Sequence, residues 1–526
     1  MNYRQFLRCL AFAAAWGCVQ LAVSAADTAP DASPAPQTTP AAERPRVVMI
    51  QPVVVCDDDG SPAARTAYPK SLIDQVYSRA GVEFLYLEPT SWANGAARRG
   101  EISLDEVVKQ GRAAGKIATD RQVVYLVFVS AVDGNNQMLG RGLQNGNVCF
   151  VSLGDEAIER DPAKQAFVVA HEIGHCLGLR HAVDDPDVPD GVPNLQGDGP
   201  FDQRLAVNAL HRTQAATVRS SPLVLDRVEC YSAAKARAAL TEEAWYPYLT
   251  NATPDMLRFT LGLAANGPIP DEPEERLRFA REHHAAMAMD FTDGEREALH
   301  AAVARLNREI GPAWPMLSRV PWHFVKAKPG FCRDLPHTRG LFTVLSERAV
   351  SRLLSRDATA MEVLCHEKIH VFQRLTPGRF TKLYDQYGYV PLQLAAGEME
   401  RLNLLQNPDA PEHDWAVKLA DQNALIATSL MRRGNQRLWF QEAYHQLEAR
   451  PDGSFRIGEK LADLAPMEAW RKRFPVRIGY DHPHEAFAYL CAGSLMPGKA
   501  PARPAKNAIT ELTLDALPGI FAITGE

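Results

Sequence analysis

His171, Glu172, His175, Gly178 and His181 stand at a spacing that could hold a metal ion with a base beside it. On a helix, residues four apart share one face with Cβ atoms about 5–6 Å apart, so His171 and His175 can offer ring nitrogens to a single ion. Glu172 follows the first ligand by one position, points near the metal without ligating it, and could take a proton from a water there. A third ligand on the same helix would drift off the face. Gly178 can adopt the left-handed conformation that ends a helix, which brings His181 round. Neutral imidazoles suit Zn2+, and three protein ligands leave an open position, the arrangement of a catalytic rather than a closed structural site.

A second constellation lies at His366-Glu367-Lys368-Ile369-His370, on a helix expected from about Thr359 to Arg374. Again two ligands and a base are spaced for zinc. Thr376, Pro377 and Gly378 follow, so the third ligand must come from farther along the chain. Glu485 is the choice made here: Pro483 suits the first turn of a helix, and a glutamate early in an apolar helix needs a reason to be there. Metal ligation is one such reason, and attraction to the helix N-terminus is another. Glu398 and Glu400, in Leu392 to Leu405, compete for the same role.

The first pattern, H-E-x-x-H-x-x-G-x-x-H, resembles the metzincin zinc metalloproteases at all five defined positions. The resemblance implies one Zn2+ on His171, His175 and His181, with Glu172 as general base. It also implies a downstream turn whose methionine lies beneath the zinc, but no methionine occurs between His181 and Met256. Asn194-Leu195-Gln196-Gly197 resembles that turn with Gln196 in the methionine position, followed by an expected helix from about Phe201 to Thr213. In metzincins the strand before the active helix lines the cleft and can pair with an extended substrate, a role the resemblance offers to Gly146 to Leu153, with an ordinary internal strand as the alternative. The second site, two histidines and a glutamate on a later helix, resembles the gluzincins. That likeness implies a second Zn2+ on His366, His370 and Glu485, with Glu367 as base.

The supporting elements follow from hydrophobic periodicity. Val47 to Val55 reads as a strand, Pro69 to Ala80 as a helix, Val82 to Leu87 as a strand, Ser103 to Ala114 as a helix and Val123 to Val132 as a buried strand. Gly146 to Leu153 and the motif helix over Pro162 to Leu177 complete the first set. Around the second motif, Gly294 to Ile310 reads as a long helix, with Pro321 to Ala327 and Gly340 to Leu345 as strands. His337-Thr338-Arg339 enters the last of these and reads as a solvated turn, with binding of a substrate carboxylate by Arg339 as the alternative. Between the two sets the pattern is helical from about Val218 to Met289. His283 and His284 are adjacent, cannot share a helix face, and read as surface residues.

The fold class expected is α+β: two zincin-like domains, each a mixed sheet with an active-site helix, joined by a helical segment. The boundaries are 46–217 for the metzincin-like domain, 218–285 for the helical connection and 286–526 for the second domain. A length of 526 residues with 46% hydrophobic content is ample for such cores. Arg4 and Arg8 precede the apolar run Leu10 to Val23 and the small residues at Ser24 and Ala25, so 1–26 reads as a signal peptide. The Ala-, Pro- and Thr-rich stretch over 27–45 reads as a disordered linker. The expected location is secreted or periplasmic, with no stable membrane span after signal removal. Seven cysteines lie outside the signal segment, at 56, 149, 176, 230, 332, 365 and 491. This odd, widely spaced set is no disulfide scaffold. A net charge of −6 without a long basic run gives no footprint for nucleic acid.

Together these features point to an exported zinc metallopeptidase, an endopeptidase acting on a protein or peptide substrate. The alternative is a zinc-binding surface or interaction protein in which one or both domains are inactive. A fourth protein ligand would favour that alternative, and retention of both Glu172 and Glu367 opposes it.

Overall fold

The structure is a computed structural model. It describes residues 46–61, 66, 68–119, 122–135, 138–154, 156–189, 194–197, 210–355, 358–395, 397–411, 414–417, 425–434, 438–461, 482–495, 516–517 and 519–522. The expected signal segment and linker over 1–45 lie outside these residues, as does 201–209 of the helix expected over 201–213. Among the described residues the helix in that region is Arg212–Ser220.

Among the described residues the chain mixes helices with three sheets. The first sheet contains β1 (Arg46–Cys56), β2 (Val82–Tyr86), β3 (Thr90–Ala93), β4 (Val123–Phe128), β5 (Gly140–Gly142) and β6 (Val148–Val151). Its order is β2-β1-β4-β6-β5, with β3 also on β1. All pairs are parallel except β5 with β6, which is antiparallel. The apolar runs are continuous because both faces are covered. Val48, Ile50, Val124, Leu126, Cys149 and Val151 face helices α1 (Lys70–Tyr77) and α3 (Pro162–Cys176). The alternate residues Val47, Met49, Val123, Tyr125, Val127 and Phe150 face helix α2 (Leu104–Ala113) and a core that continues into the rest of the chain.

The second sheet contains β7 (Val228–Cys230), β8 (Ala288–Met289), β9 (Trp322–Ala327), β10 (His337–Arg339) and β11 (Phe342–Ser346), in the order β10-β11-β9-β7. Here too β7, β9 and β11 are parallel and the edge strand β10 runs antiparallel to β11. This repeats the arrangement β5-β6-β4-β1 of the first sheet. Helix α4 (Asp293–Ile310) begins with a capping box in which Thr292 and Glu295 bond each other's backbone N–H. Its Leu299, Val303, Leu306 and Ile310 belong to one apolar cluster with Met49, Val127 and Phe150 of the first sheet and with Leu364, Ile369 and Phe372 of helix α5 (Ala358–Leu375). Helix α6 (Pro483–Leu495) packs along α5. A third sheet, β12 (Tyr389–Pro391), β13 (Trp415–Val417), β14 (Leu425–Arg433), β15 (Leu438–Ala449) and β16 (Phe455–Leu461), is antiparallel throughout.

Several sequence expectations are corrected here. The stretch after Val218 is not wholly helical, because Val228–Cys230 pairs with β9. His284 is not on the surface: it is fully buried, its ring edge against Phe331 at 5.3 Å between centroids, while His283 is half-buried. Helix amphipathy separates neighbours by about 100°, so one of an adjacent pair can enter the core. His337, Thr338 and Arg339 form a buried strand rather than a solvated turn. Around Glu398 and Glu400 the chain forms a short helix, Glu398–Leu402, with Gly397 and Asn403 left-handed at its two ends. No helix among the described residues is long and apolar enough to cross a membrane.

Candidate metal centres

Helix α3 starts where Asp161 accepts hydrogen bonds from the N–H groups of Ala163 and Lys164, with Pro162 in the first turn. Tyr77 of α1 donates its hydroxyl to the Ala170 carbonyl at 2.7 Å and ties the two helices together. At the far end, Gly178 turns the chain with φ +97°, a conformation costly for any residue with a Cβ. That turn returns His181 to the helix face. The Nε2 atoms of His171 and His181 each lie 3.2 Å from Nε2 of His175.

The outer ring nitrogens decide what these inner ones are. Nδ1 of His171 faces the Leu195 carbonyl at 2.8 Å, and Nδ1 of His175 faces the Leu179 carbonyl at 2.9 Å. A carbonyl oxygen can only accept, so both Nδ1 atoms carry the hydrogen and both Nε2 atoms present lone pairs. Two lone pairs at 3.2 Å repel unless a cation lies between them. Burial pushes the His175 pKa down, which keeps the ring neutral and able to ligate. The donor set therefore fits a zinc ion.

Glu172 is buried beside the triad. Burial pushes its carboxyl up to about 8, opposed by a hydrogen bond from the Gly142 N–H. A nearby divalent cation would favour the carboxylate form. The strand that covers Glu172 is β5, and it can approach only because it carries glycines: a Cβ on Gly140 would lie 2.5 Å from Cγ and Oε1 of Glu172. This corrects the expectation for Gly146 to Leu153. That stretch contains β6, whose two edges are taken by β4 and β5, so the edge at the site is β5.

Gln196 sits beneath the helix as its place in the turn implied. It is fully buried, donates from Nε2 to the His171 carbonyl at 2.9 Å, and donates its backbone N–H to the side-chain oxygen of Asn194 at 2.8 Å. Asn194 and Gln214 exchange amide hydrogen bonds at 2.8 and 3.1 Å and fix the turn. Gln214 lies on Arg212–Ser220, so the helix after the turn braces it.

At the second centre, α5 and α6 bring His366, His370 and Glu485 together, with ligand atoms all within 4.8 Å of one another. Nε2 of His370 is 3.0 Å from Nε2 of His366. The Glu485 oxygens are 3.4 and 3.7 Å from the two rings. Gln373 donates to Tyr384 Oη and to the His484 carbonyl, which leaves its oxygen facing Nδ1 of His370 at 2.9 Å. Nδ1 of His370 therefore carries hydrogen and Nε2 a lone pair. Burial pushes this imidazole down to about 3. Asn407 donates to Glu485 at 2.7 Å and orients it. Two imidazoles and a carboxylate again suit zinc, and each group holds three donors, with no fourth among the described residues. Glu398 and Glu400 are elsewhere: Glu398 accepts from Arg401 and from the Ile457 N–H, and Glu400 faces Arg276.

Glu367 is buried with its Oε2 unpartnered among the described residues. Burial pushes its pKa well up, and the charges of Asp409 and Glu485 add to this. Lys368, also buried, donates to the carbonyls of Val320 and Pro321 and lies over the Trp322 ring, which pins α5 to the start of β9. Arg339 points away from this centre, donating to the Leu240 carbonyl and lying over Tyr248.

The sequence reading missed Asn407, Asp409, Gln373 and the β5 glycines. Gln373 follows His370 by three positions and Gly140 alternates with Gly142, so these two signals were present. The loop at 407–409 had none. The seven cysteines among the described residues are free.

No protein family matches the sequence, and no curated protein matches it. Among solved structures, the chain is similar to archaemetzincin from Methanopyrus kandleri, at 16% identity and TM-score 0.22, over 33% of this chain and 95% of that one. It is also similar to archaemetzincin from Archaeoglobus fulgidus complexed with malonate, at 17% identity and TM-score 0.19, over 32% and 99% of the two chains. Both scores are low, and the chemistry assigned to the centres comes from their own side chains.

Proposed function

We propose that the chain is an exported zinc metallopeptidase that hydrolyses internal peptide bonds at the centre formed by His171, His175 and His181. The supporting observation is the convergence of imidazole lone pairs 3.2 Å apart with the carboxyl of Glu172 beside them. A Zn2+ ion held there would supply Lewis acidity to a water and a substrate carbonyl at its open position. Glu172 takes the proton of the attacking water on its carboxylate and returns it to the leaving amine nitrogen. His171 and His175 keep their Nε2 atoms directed inward through the Leu195 and Leu179 carbonyls. Export rests on Arg4, Arg8 and the apolar run that follows them. A second Zn2+ would lie on His366, His370 and Glu485, with Glu367 in the corresponding place.

The test is metal content together with hydrolysis of an unfolded polypeptide by the full chain and by Glu172→Ala. Two zinc ions per chain are expected in both. Turnover should fall about 10²–10⁴-fold in the variant, the usual contribution of a positioned general base. Absence of metal, or full activity in Glu172→Ala, would remove the proposal.

A further inference from the structure

The two centres lie beside antiparallel edge strands in sheets of the same order, but the edges are not in the same state. In an antiparallel pair, residues alternate between those bonded to the partner and those whose N–H and C=O point outward. Leu143 N–H bonds the Val148 carbonyl and Ser152 N–H bonds the Leu139 carbonyl. With the register Gly140↔Val151 and Gly142↔Cys149, the outward residues of β5 are therefore Gly140 and Gly142. Gly142 directs its N–H at Glu172, and the outward groups of Gly140 have no partner among the described residues. Among the described residues this edge therefore lies open at Gly140, beside the base.

On β10 the register Arg339↔Phe342, closed by Gly340 and Leu341, makes Thr338 the outward residue. Both of its outward groups are taken. Its N–H donates to Oδ1 of Asp409 at 2.6 Å, with its hydroxyl on the same oxygen at 2.7 Å, and its carbonyl accepts from Arg374 at 3.3 Å. Arg374 also holds the Pro408 and Asp409 carbonyls at 2.8 and 3.0 Å, so the loop is clamped against the strand. The same loop supplies Asn407 to Glu485. Thr338 and Asp409 are fully or almost fully buried.

We propose that Asp409, held by Arg374, is a specificity determinant that occupies the edge strand of the second centre and excludes an extended polypeptide from it. The first centre is then the one that takes extended chains, and the second accepts compact metal-binding ligands. This rests on both sites being metal centres, as proposed above. Pairing with an open edge adds main-chain hydrogen bonds to a peptide's affinity, whereas an edge already bonded to buried side chains has none to offer.

The experiment compares acetohydroxamate with a pentapeptide hydroxamate by calorimetry on two zinc-loaded full-length chains. One lacks the first centre (His171→Ala with His175→Ala) and the other lacks the second (His366→Ala with His370→Ala). The chain retaining the first centre should bind the peptide form about tenfold or more tighter, the worth of two or so hydrogen bonds. The chain retaining only the second should show no gain. Asp409→Ala in that chain should create the gain, while Asp409→Asn, which keeps the acceptor oxygen, should not. An equal gain at both centres overturns the proposal, as does a second centre that binds neither hydroxamate, or one at which Asp409→Ala keeps acetohydroxamate affinity without gaining for the peptide. If the first centre shows no gain while Asp409→Ala creates one at the second, the peptidase reading of the first centre fails together with the assignment of extended chains to it, and the exclusion by Asp409 alone stands.

Discussion

Replacing His284 with leucine should remove one proton from the pH dependence of folding stability. The ring is fully buried, donates from Nδ1 to the Ala280 carbonyl at 2.8 Å, and has no partner for Nε2 among the described residues. Burial, with the Arg339 guanidinium nearby, pushes its pKa down to about 3. In the unfolded chain the value returns to about 6.5. A folded pKa below the unfolded one means that, between these values, the unfolded chain binds a proton the folded chain refuses, so stability falls as the pH drops below about 6.5. The slope is about 1.4 kcal/mol per pH unit, or about 2 kcal/mol lost between pH 8 and pH 5. His323 and His337 are also buried and pushed down to about 3 and about 4. The three together would cost about 6 kcal/mol at pH 5, against a total stability of roughly 5–15 kcal/mol. Urea unfolding followed by tryptophan fluorescence at pH 8, 6 and 5, in excess chelator, measures the slope for both chains. Chelation makes the metal ligands contribute equally to each. The slope for His284→Leu should be shallower by one proton, and an unchanged slope would refute the assignment of a neutral, buried imidazole at this position.

Gly140→Ala places a methyl 2.5 Å from the Glu172 side chain, so the strand or the base must move. A loss of about 1–3 kcal/mol of stability and a clear fall in kcat are expected, and wild-type kcat would show that β5 does not set the position of Glu172. Gln196→Met removes the amide that bonds the His171 carbonyl but also removes an Oε1 that lacks a partner among the described residues. Zinc content should be unchanged and stability within about 1 kcal/mol, whereas loss of metal would give the glutamine more than a supporting role. Glu485→Gln should lower metal content from two ions per chain to one, the first centre keeping its own. Retention of two at unchanged affinity would place the third ligand elsewhere.

Local order was legible wherever it followed from period and spacing. The first motif declares its own turn through Gly178, and the strands and helices feeding it alternate or repeat cleanly, so β1, α2, β4 and α3 fall within a few residues of their expected bounds. Glu485 was reachable because Pro483 marks a helix start. The burial of His284 and of His337 to Arg339 was not legible, since polar residues carry no periodic signal of what will cover them. Nor was the loop at 407–409, whose place depends on Arg374 reaching it from another element. The edge role given to Gly146 to Leu153 failed for a related reason: a three-residue strand of glycines and one arginine has no hydrophobic pattern, yet it is the element that pairs outermost.

The apolar cluster between the two centres bears on how they act together. Helix α4 contributes Leu299, Val303, Leu306 and Ile310 to a core that also contains Met49, Val127 and Phe150 on one side and Leu364, Ile369 and Phe372 on the other. The second motif helix belongs to that shared core, whereas the first lies on the opposite face of the first sheet, in a separate cluster with Ile73, Tyr77 and Ile173. A ligand that binds only the folded state stabilises it by about 4 kcal/mol at a thousand times its Kd. At the second centre that gain would act on packing common to both sheets. At the first it would reach the shared core only through the strands of the first sheet, whose residues alternate between the two clusters. The two centres thus share a strand order but not a mechanical setting, and the one joined directly to the common core is also the one whose edge is closed by its own chain.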